Sequence, residues 1–267
     1  AIGNQANAGA TDAVAVGTST AASAEKAVAI GQKANAGGLS SIAIGDTAKA
    51  TQASGIAIGG KTNVTGSMAV AVGNSAAATA TQAVSIGYSS MAGAENAAAY
   101  GYMARATATG ALALGATATA SEVNSVALGA SSATAAAVNT STMTISGKSY
   151  TLAGGTADGT VSIGSSTQKR TITNVAAGRV SATSTDAVNG SQLYGTNQQI
   201  DVLHRDVRHV EKESNRGDAR AAALAALHPL QFDPDHKVQV MGGYGHYKGE
   251  NALALGVGYY PKENLLL

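Results

Sequence analysis

The 267-residue chain contains no cysteine and no tryptophan, a single phenylalanine (Phe232) and three prolines. Without cysteine there is neither a disulfide framework nor a thiolate metal site. With one phenylalanine and no tryptophan, an ordinary globular core is hard to fill, because the apolar fraction is mostly Ala, Val and Ile. Side chains this small fill thin layers, so an elongated object held by ladders and by neighbouring chains is expected. Lys plus Arg (17) nearly equals Asp plus Glu (16), so no strongly basic face points to nucleic acid. No run of about 18 apolar residues could cross a bilayer as a helix, and no signal peptide opens the chain. The sequence begins at Ala1-Ile2-Gly3, in the middle of a repeat, so further repeats are expected upstream.

What the sequence does have is internal repetition. Glycine recurs every fourteen residues from Gly3 through Gly17, Gly31, Gly45, Gly59, Gly73, Gly87, Gly101 and Gly115 to Gly129. One residue before each stands a mostly branched apolar column: Ile2, Val16, Ile30, Ile44, Ile58, Val72, Ile86, Tyr100, Leu114 and Leu128. Two residues earlier runs a second: Val14, Val28, Ile42, Ile56, Val70, Val84, Ala98, Leu112 and Val126. A spacing of two puts both columns on one face of a short strand, which is expected to line the core. After the glycine comes a second alternating pair, as in Ala34 and Ala36, Ala48 and Ala50, and Ala118 and Ala120. Each repeat therefore reads as one coil of two short strands, one lined by Val and Ile, the other by Ala. One coil cannot bury its apolar face, whereas stacked coils can. Ten coils at about 4.8 Å each make a rod roughly 45–50 Å long. Regular glycine and abundant β-branched residues argue against a helix, and collagen would need glycine at every third position.

The segment Asn124-Ser125-Val126-Ala127-Leu128-Gly129-Ala130-Ser131-Ser132 closely resembles the head repeat of YadA-like trimeric autotransporter adhesins, and Ala-Ile-Gly at 29–31, 43–45 and 57–59 repeats its centre. The resemblance implies a mainly β fold: a left-handed parallel β-roll, three of which pack as a homotrimer. It also implies that head repeats contribute to binding matrix proteins such as collagen. Carried over residue by residue, this touches Asn124, Ser125, Ala127, Gly129 and Ser132, each of which also has an obvious structural role in turn, core or ladder.

The register ends near Ala135. Residues 136–170 read as an irregular β insert, strand-like at Thr142–Ile145 and at Val161-Ser162-Ile163. Ile172-Thr173-Asn174-Val175-Ala176-Ala177-Gly178, followed by Thr185-Asp186-Ala187-Val188-Asn189-Gly190-Ser191-Gln192-Leu193, resembles the neck of the same family, assigned to 171–195. The chain then becomes charged. Leu193, Ile200, Val207, Ser214 and Ala221 fall seven apart, and Leu203, Val210, Gly217 and Leu224 interleave. That a/d pattern predicts a coiled-coil stalk over 196–228, with Asp201–Arg205 and Glu213–Arg216 pairs on its exposed faces and a stop before Pro229. Leu193, Ile200, Leu203, Val207, Val210 and Leu224 are the expected seam; the trimeric state rests on the resemblance.

Alternation returns in 229–267. Leu253, Leu255, Val257 and Tyr259 share one strand face, with Ala252, Ala254, Gly256 and Gly258 on the other; Gly243 and Gly245 bare the preceding strand. An apolar face ending in Tyr suits lipid, and a tiny face leaves room inside a barrel. The stretch from Gly243 to Glu250 resembles the family's membrane anchor, in which three helices run through a twelve-stranded barrel. Two strands per chain would give six, below the roughly eight of known barrels, so a truncated anchor is expected.

Other motifs are weaker. Gly55 to Thr62 satisfies the P-loop pattern, but that pattern needs a helix to follow, and here another repeat does. His204-Arg205-Asp206 lacks the asparagine a kinase loop requires and lies in the coiled coil. The five histidines (204, 209, 228, 236 and 246) have no zinc spacing, and scattered acidic residues disfavour a glycan-cleaving solenoid. No cofactor is implied and no enzyme is expected. The expected function is that of a cell-surface adhesin in the bacterial outer membrane. The alternative is an ice-binding or surface-templating solenoid, which would need a regular Thr-x-Thr array; Thr107-Ala108-Thr109 and Thr117-Ala118-Thr119 are only local examples.

Overall fold

A computed structural model describes all 267 residues. The chain divides into two compact units. One comprises Ala1–Asn174 with Ser181–Thr185, the other Val175–Val180 with Asp186–Leu267.

The first unit is a parallel β-solenoid. Three-residue strands from Val14–Val16 to Val126–Leu128 stack into one sheet, and two-residue strands from Asn7–Ala8 to Thr119–Ala120 stack into a second. Each strand pairs with the one fourteen residues on, as Ile42 with Ile56 and Ile44 with Ile58. The hydrogen bonds run between coils: Ile56 N–H donates to the Ala69 carbonyl at 2.9 Å and Gly59 N–H to the Ile44 carbonyl at 2.7 Å. The stacking expected from the repeat is therefore present.

The inward face differs from expectation. Val and Ile point out of the coil, and the residues between and around them point in. Ala15, Ala29, Ala43, Ala57, Ala71, Ser85, Ala99, Ala113 and Ala127 form one fully buried column, whereas Ile30, Ile58 and Leu128 stay about 40% exposed. Only methyl- and hydroxyl-sized groups fit between two sheets this close. The Ala pairs of the second strand do face inward, and Ala34, Ala36, Ala48 and Ala50 are fully buried. Where a hydroxyl replaces a methyl, it finds a partner, as a buried polar group must: Ser85 and Ser90 bond each other at 2.7 Å, and Thr20 donates to the Gly31 carbonyl at 2.6 Å.

Two turns per coil place one residue in the left-handed region every seven positions, as at Lys33, Ser40, Thr47, Ser54, Lys61 and Met68. Each such non-glycine residue costs about 1–2 kcal/mol, which the inter-coil ladder must offset. The repeat glycine has a different task. Gly59 sits at φ +128°, and a Cβ there would lie 2.7 Å from the Gly73 backbone in the next coil. The glycine column is a line of backbone-to-backbone contact that no side chain can enter.

Stacking continues beyond Ala135. Val161–Ser162 joins the first sheet as its tenth strand, with Val126 opposite Val161, and Ala133 N–H reaches the Gly164 carbonyl. The segment between loops out as a hairpin, Thr142–Ile145 with Lys148–Thr151, turned by Ser146 and Gly147 at positive φ.

The second unit is the helix Gly190–Ala225 and an antiparallel hairpin, Val238–Tyr247 with Glu250–Tyr259. The helix is 36 residues long, about 54 Å at 1.5 Å per residue. It starts already at Gly190, before the 196 at which the stalk was expected to begin, because Asn189 and Gln192 build a reciprocal capping box. No helix is long and apolar enough to cross a membrane.

One size exchange in the core is testable. Val64 is the largest fully buried side chain, in a column otherwise alanine, and Gly55 stands in a column otherwise Ala or Ser. A Cβ on Gly55 would lie 3.1 Å from Val64 Cγ1. Gly55→Ala alone overpacks and Val64→Ala alone leaves a void, each costing about 1–3 kcal/mol. The double variant should recover at least half of the summed loss in thermal melts. Additive losses would show that the two residues do not share this space.

Candidate functional site

The head carries an unpartnered apolar face. Its two outward columns run the length of the first sheet, through Val28 and Ile30, Ile42 and Ile44, Ile56 and Ile58, to Val126 and Leu128. The matching outward column of the second sheet is mixed, with Asn35, Lys49, Asn63 and Arg105 among Ala21, Ala77 and Met91. A stripe of mostly branched apolar side chains, interrupted by Ala98 and Tyr100, marks a surface of association.

Of the five residues carried over as adhesive, Ser125, Ala127 and Ser132 are fully buried. Ser125 Oγ accepts from Thr160 N–H at 2.9 Å, and Ser132 Oγ–H donates to the Leu128 carbonyl at 2.8 Å. These three hold the last coil together and have no surface to offer a ligand. Gly129 is half-buried, and Asn124 is exposed at a left-handed turn.

A residue that pattern reading missed closes the head. Arg170 lies over Gly129, where the next glycine of the column would stand, its Cζ 3.2 Å from a Cβ built there. Its guanidinium donates to the carbonyls of Ala130 (2.6 Å) and Ile163 (2.7 Å) and to Ser132 Oγ (3.0 Å). Nothing in a fourteen-residue period marks an arginine 41 residues after that glycine.

The neck motif residues converge in the second unit. Gln192 receives the N–H groups of Gly178 (3.0 Å) and Asn189 (3.2 Å) on its oxygen and donates its amide to the Gly178 carbonyl at 2.7 Å. Asn189 Nδ2 reaches the Val175 carbonyl at 3.1 Å. Arg179 grips Asp186 with Nε at 2.8 Å and Nη2 at 3.0 Å, and its backbone N–H adds a third bond at 3.1 Å. The Arg179 side chain first, and then its backbone N–H, hold the Asp186 carboxyl below its ordinary range.

Along the helix, Leu193, Ile200, Leu203, Val207, Val210 and Leu224 are all exposed, so the expected seam is unfilled by the chain itself. A different stripe, Arg216, Ala219, Ala223 and Leu227, faces the hairpin, with Ala219 and Ala223 buried. Gly243 and Gly245 lie against it so closely that a Cβ on either would overlap the carbonyl of Ala223 or Ala219. The other residues expected to face a lumen, Ala252, Ala254, Gly256 and Gly258, lie on this same inner side, buried or half-buried. Leu253, Leu255, Val257 and Tyr259 face away, Leu255 83% exposed. Glu213 does pair with Arg216 at 2.8 Å, and Arg216 also reaches Glu250 on the hairpin at 3.1 Å.

The nucleotide-like motif is a solenoid turn. Gly55 precedes the strand Ile56–Ile58, Lys61 is an exposed turn residue, and the buried Thr62 donates its hydroxyl to the Gly59 carbonyl before the next strand, Asn63–Val64. His204, Arg205 and Asp206 lie exposed on the helix.

The Arg179–Asp186 clasp makes the neck acid-sensitive. A carboxyl whose folded pKa lies below its unfolded value stabilises the fold above the unfolded pKa, and that stability is lost as pH falls through the folded value. Amide exchange at 175–192 should accelerate below the ordinary carboxylate range in the native chain. Asp186→Asn should exchange faster at neutral pH and lose most of that acid dependence; an unchanged profile would remove the clasp from the neck's stability.

Three family models match the chain in succession. The YadA head domain repeat matches at 1–20, 8–34, 22–46, 36–62, 65–90 and 106–132, the coiled stalk of trimeric autotransporter adhesins at 171–214, and the YadA-like membrane anchor domain at 230–267. Autotransporter adhesin BtaF of Brucella suis biovar 1 (strain 1330) is 39% identical over 66 residues, 24% of this chain and 23% of that protein. The chain thus spans about a quarter of the length of that curated relative. Among solved structures, the collagen-binding domain of the Yersinia adhesin YadA aligns at 33% identity and a TM-score of 0.45, over 62% of this chain and 87% of that one. The C-terminal YadA-like domain of BPSL2063 from Burkholderia pseudomallei aligns at 34% identity and a TM-score of 0.33, over 56% and 51%. Head, stalk and anchor models matching in this order along one polypeptide leave a single assignment, that the chain belongs to the YadA-like trimeric autotransporter adhesins, proteins of the outer membrane and cell surface.

Proposed function

We propose that the chain works as a homotrimer that attaches the cell to host matrix or host cells, held in the outer membrane by its own C-terminal strands. The observation that carries this reading is the pair of unfilled apolar stripes, one along every coil of the head and one along the helix. Branched residues left outside a methyl-thin solenoid gain their burial only against another subunit, and a helix with an exposed a/d seam has the same need. In a trimer the head stripes would meet at the axis, leaving the mixed second sheet and the turn columns outward.

Adhesion would then rest on many weak contacts. Three heads per stalk and many stalks per cell raise avidity without a deep pocket. Collagen is the first matrix ligand to try, because the collagen-binding domain of a Yersinia adhesin is among the relatives. Among the five carried-over residues, Asn124 is the one with an exposed side chain to touch a partner. The surface-templating alternative has less support. Thr51, Thr65 and Thr79 form a column over three coils, but Thr51 and Thr65 direct their hydroxyls to the carbonyls of Val64 and Thr79.

Two measurements test the proposal. The native chain should sediment as a trimer, and Ile30→Asp/Ile58→Asp should weaken head association while each coil keeps its β signature. Immobilised collagen should retain cells displaying the native protein at least about tenfold better than cells displaying the seam variant, as avidity requires. A native protein that sediments as a folded monomer, or equal retention of both cell types, would overturn it.

A further inference from the structure

One rung of the head's outward stripe departs from the rest. From Val14 to Ile86 the two outward columns hold only Val and Ile, and further on come Leu112, Leu114, Val126 and Leu128. Between them the strand Ala98–Tyr100 puts an alanine and a tyrosine on the same face. Ala98 stands in register between Val84 and Leu112, and Tyr100 between Ile86 and Leu114. One position loses bulk where its neighbour two residues on gains it, so the rung fills about the same space as a Val and Ile rung. A lone surface tyrosine needs no such allowance, whereas a side chain sharing a packed layer does.

Tyr100 is half-buried on this face, and its hydroxyl has no hydrogen-bond partner in the chain. The backbone around it is already engaged in the ladder. The Ile86 carbonyl accepts from Gly101 N–H and the Tyr100 carbonyl from Gly115 N–H, both at 2.8 Å. Above and below in its own column stand only Ile86 and Leu114. Once the stripe is covered, that hydroxyl is a polar group in an apolar seam, which is costly unless it is bonded. The matching group is a like hydroxyl on a like chain.

We propose that the Tyr100 side chains of three subunits close a ring of hydrogen bonds in the head seam, and that this ring specifies the number and register of the assembled heads. The inference rests on the reading that the head stripes meet at a threefold axis. A phenol donates one proton and can accept another. Three phenols around such an axis satisfy one another completely, each donating to the next, whereas two leave one proton without an acceptor. Register follows from the same count. The Val and Ile rungs are so alike that two stripes could dock one coil out of step with little loss of apolar contact. That shift sets Tyr100 against a neighbour's Ile86 or Leu114 column and leaves its hydroxyl unbonded. The rung acts as a buried polar position does in a coiled coil, giving up some apolar burial to select one arrangement.

The test uses the native full-length protein, extracted from outer membranes in mild detergent. Photo-oxidation with a ruthenium sensitiser joins tyrosine rings that lie in contact. Trypsin then releases residues 62–105 as one peptide, since no Lys or Arg lies between Lys61 and Arg105. The native protein should yield this peptide as a covalent dimer. Tyr100→Phe should yield at least about fivefold less of it, as contact between like residues across an axis requires, and Tyr102→Phe should yield the native amount. Tyr88 and Tyr102, stacked at 5.5 Å within one chain, are the internal control for coupling in the native protein. Because Tyr100→Phe keeps the ring and removes only the hydroxyl, it should also lower the head's melting temperature by at least about 3 °C. Removing an unbonded buried hydroxyl would raise it instead, and removing one that faces water would leave it unchanged. Either result would overturn the ring while leaving the trimer intact, as would Tyr88–Tyr102 coupling in the native protein without the peptide dimer. A native protein that sediments as a folded monomer would overturn the seam and the ring with it.

Discussion

The narrowness of the solenoid governs the rest of the molecule. Two strands of three and two residues, joined by tight turns, enclose a space that admits a methyl group and little more. Interior packing at crystal-like density tolerates no extra methylene without displacement, so Ala and Ser occupy all four inward columns with few exceptions. The one Val among them, Val64, is matched by the one inward glycine, Gly55. Burying methyls yields little per residue, since the gain scales with apolar area. The coil is therefore held chiefly by its ladder, and the larger apolar side chains are displaced to the outside.

That displacement links packing to assembly. A wider solenoid would bury its Val and Ile and stand alone. Here the same residues lie outside, in columns that align because the repeat admits no insertion through ten glycines. The device recurs in the second unit in another form. Gly243 and Gly245 let a helix lie directly on a strand backbone through Ala219 and Ala223, which again drives the bulky residues, Leu253, Leu255 and Val257, to the far face. In both units, small residues bring backbones together and large ones are left facing outward, where the proposed trimer and membrane anchoring would cover them.

Much of this was legible in the sequence, and the parts that were not share a physical reason. Period fourteen gave the coil and period two gave the strands, because glycine and branched residues recur without slippage. The inward face was misassigned because Val-Ala-Ile is apolar on both faces: alternation announces two faces but does not say which one is enclosed, and only the inter-sheet gap decides. In the hairpin the same period was read correctly as to parity, since glycine and alanine against leucine and valine differ enough in size to tell the faces apart. Ser125, Ala127 and Ser132 were carried over from a repeat motif whose residues serve packing first. Arg170 was invisible because a cap stands where the repeat fails, so no column contains it. Val161 and Ser162 rejoined the stack after a long excursion that erased the register. Arg216 was read as a partner of Glu213 because a helical pattern shows only neighbours three or four residues apart, while its second carboxylate, Glu250, comes from the hairpin.

The ends of such a solenoid are its weakest points, and the chain treats the one near the neck with care. Every repeat glycine but the last has its Cα covered by the backbone carbonyl of the glycine one coil on, so an uncapped final rung would expose both a groove and unpaired carbonyls. Arg170 fills both needs at once: its planar guanidinium lies over Gly129, and its donors take the Ala130 and Ile163 carbonyls. A lysine could neutralise one carbonyl but could not cover the glycine, because a point charge has no flat face to stack. The head thus ends on a side chain that stands where the next glycine of the column would be, while Val161–Ser162 remains the last strand of its sheet.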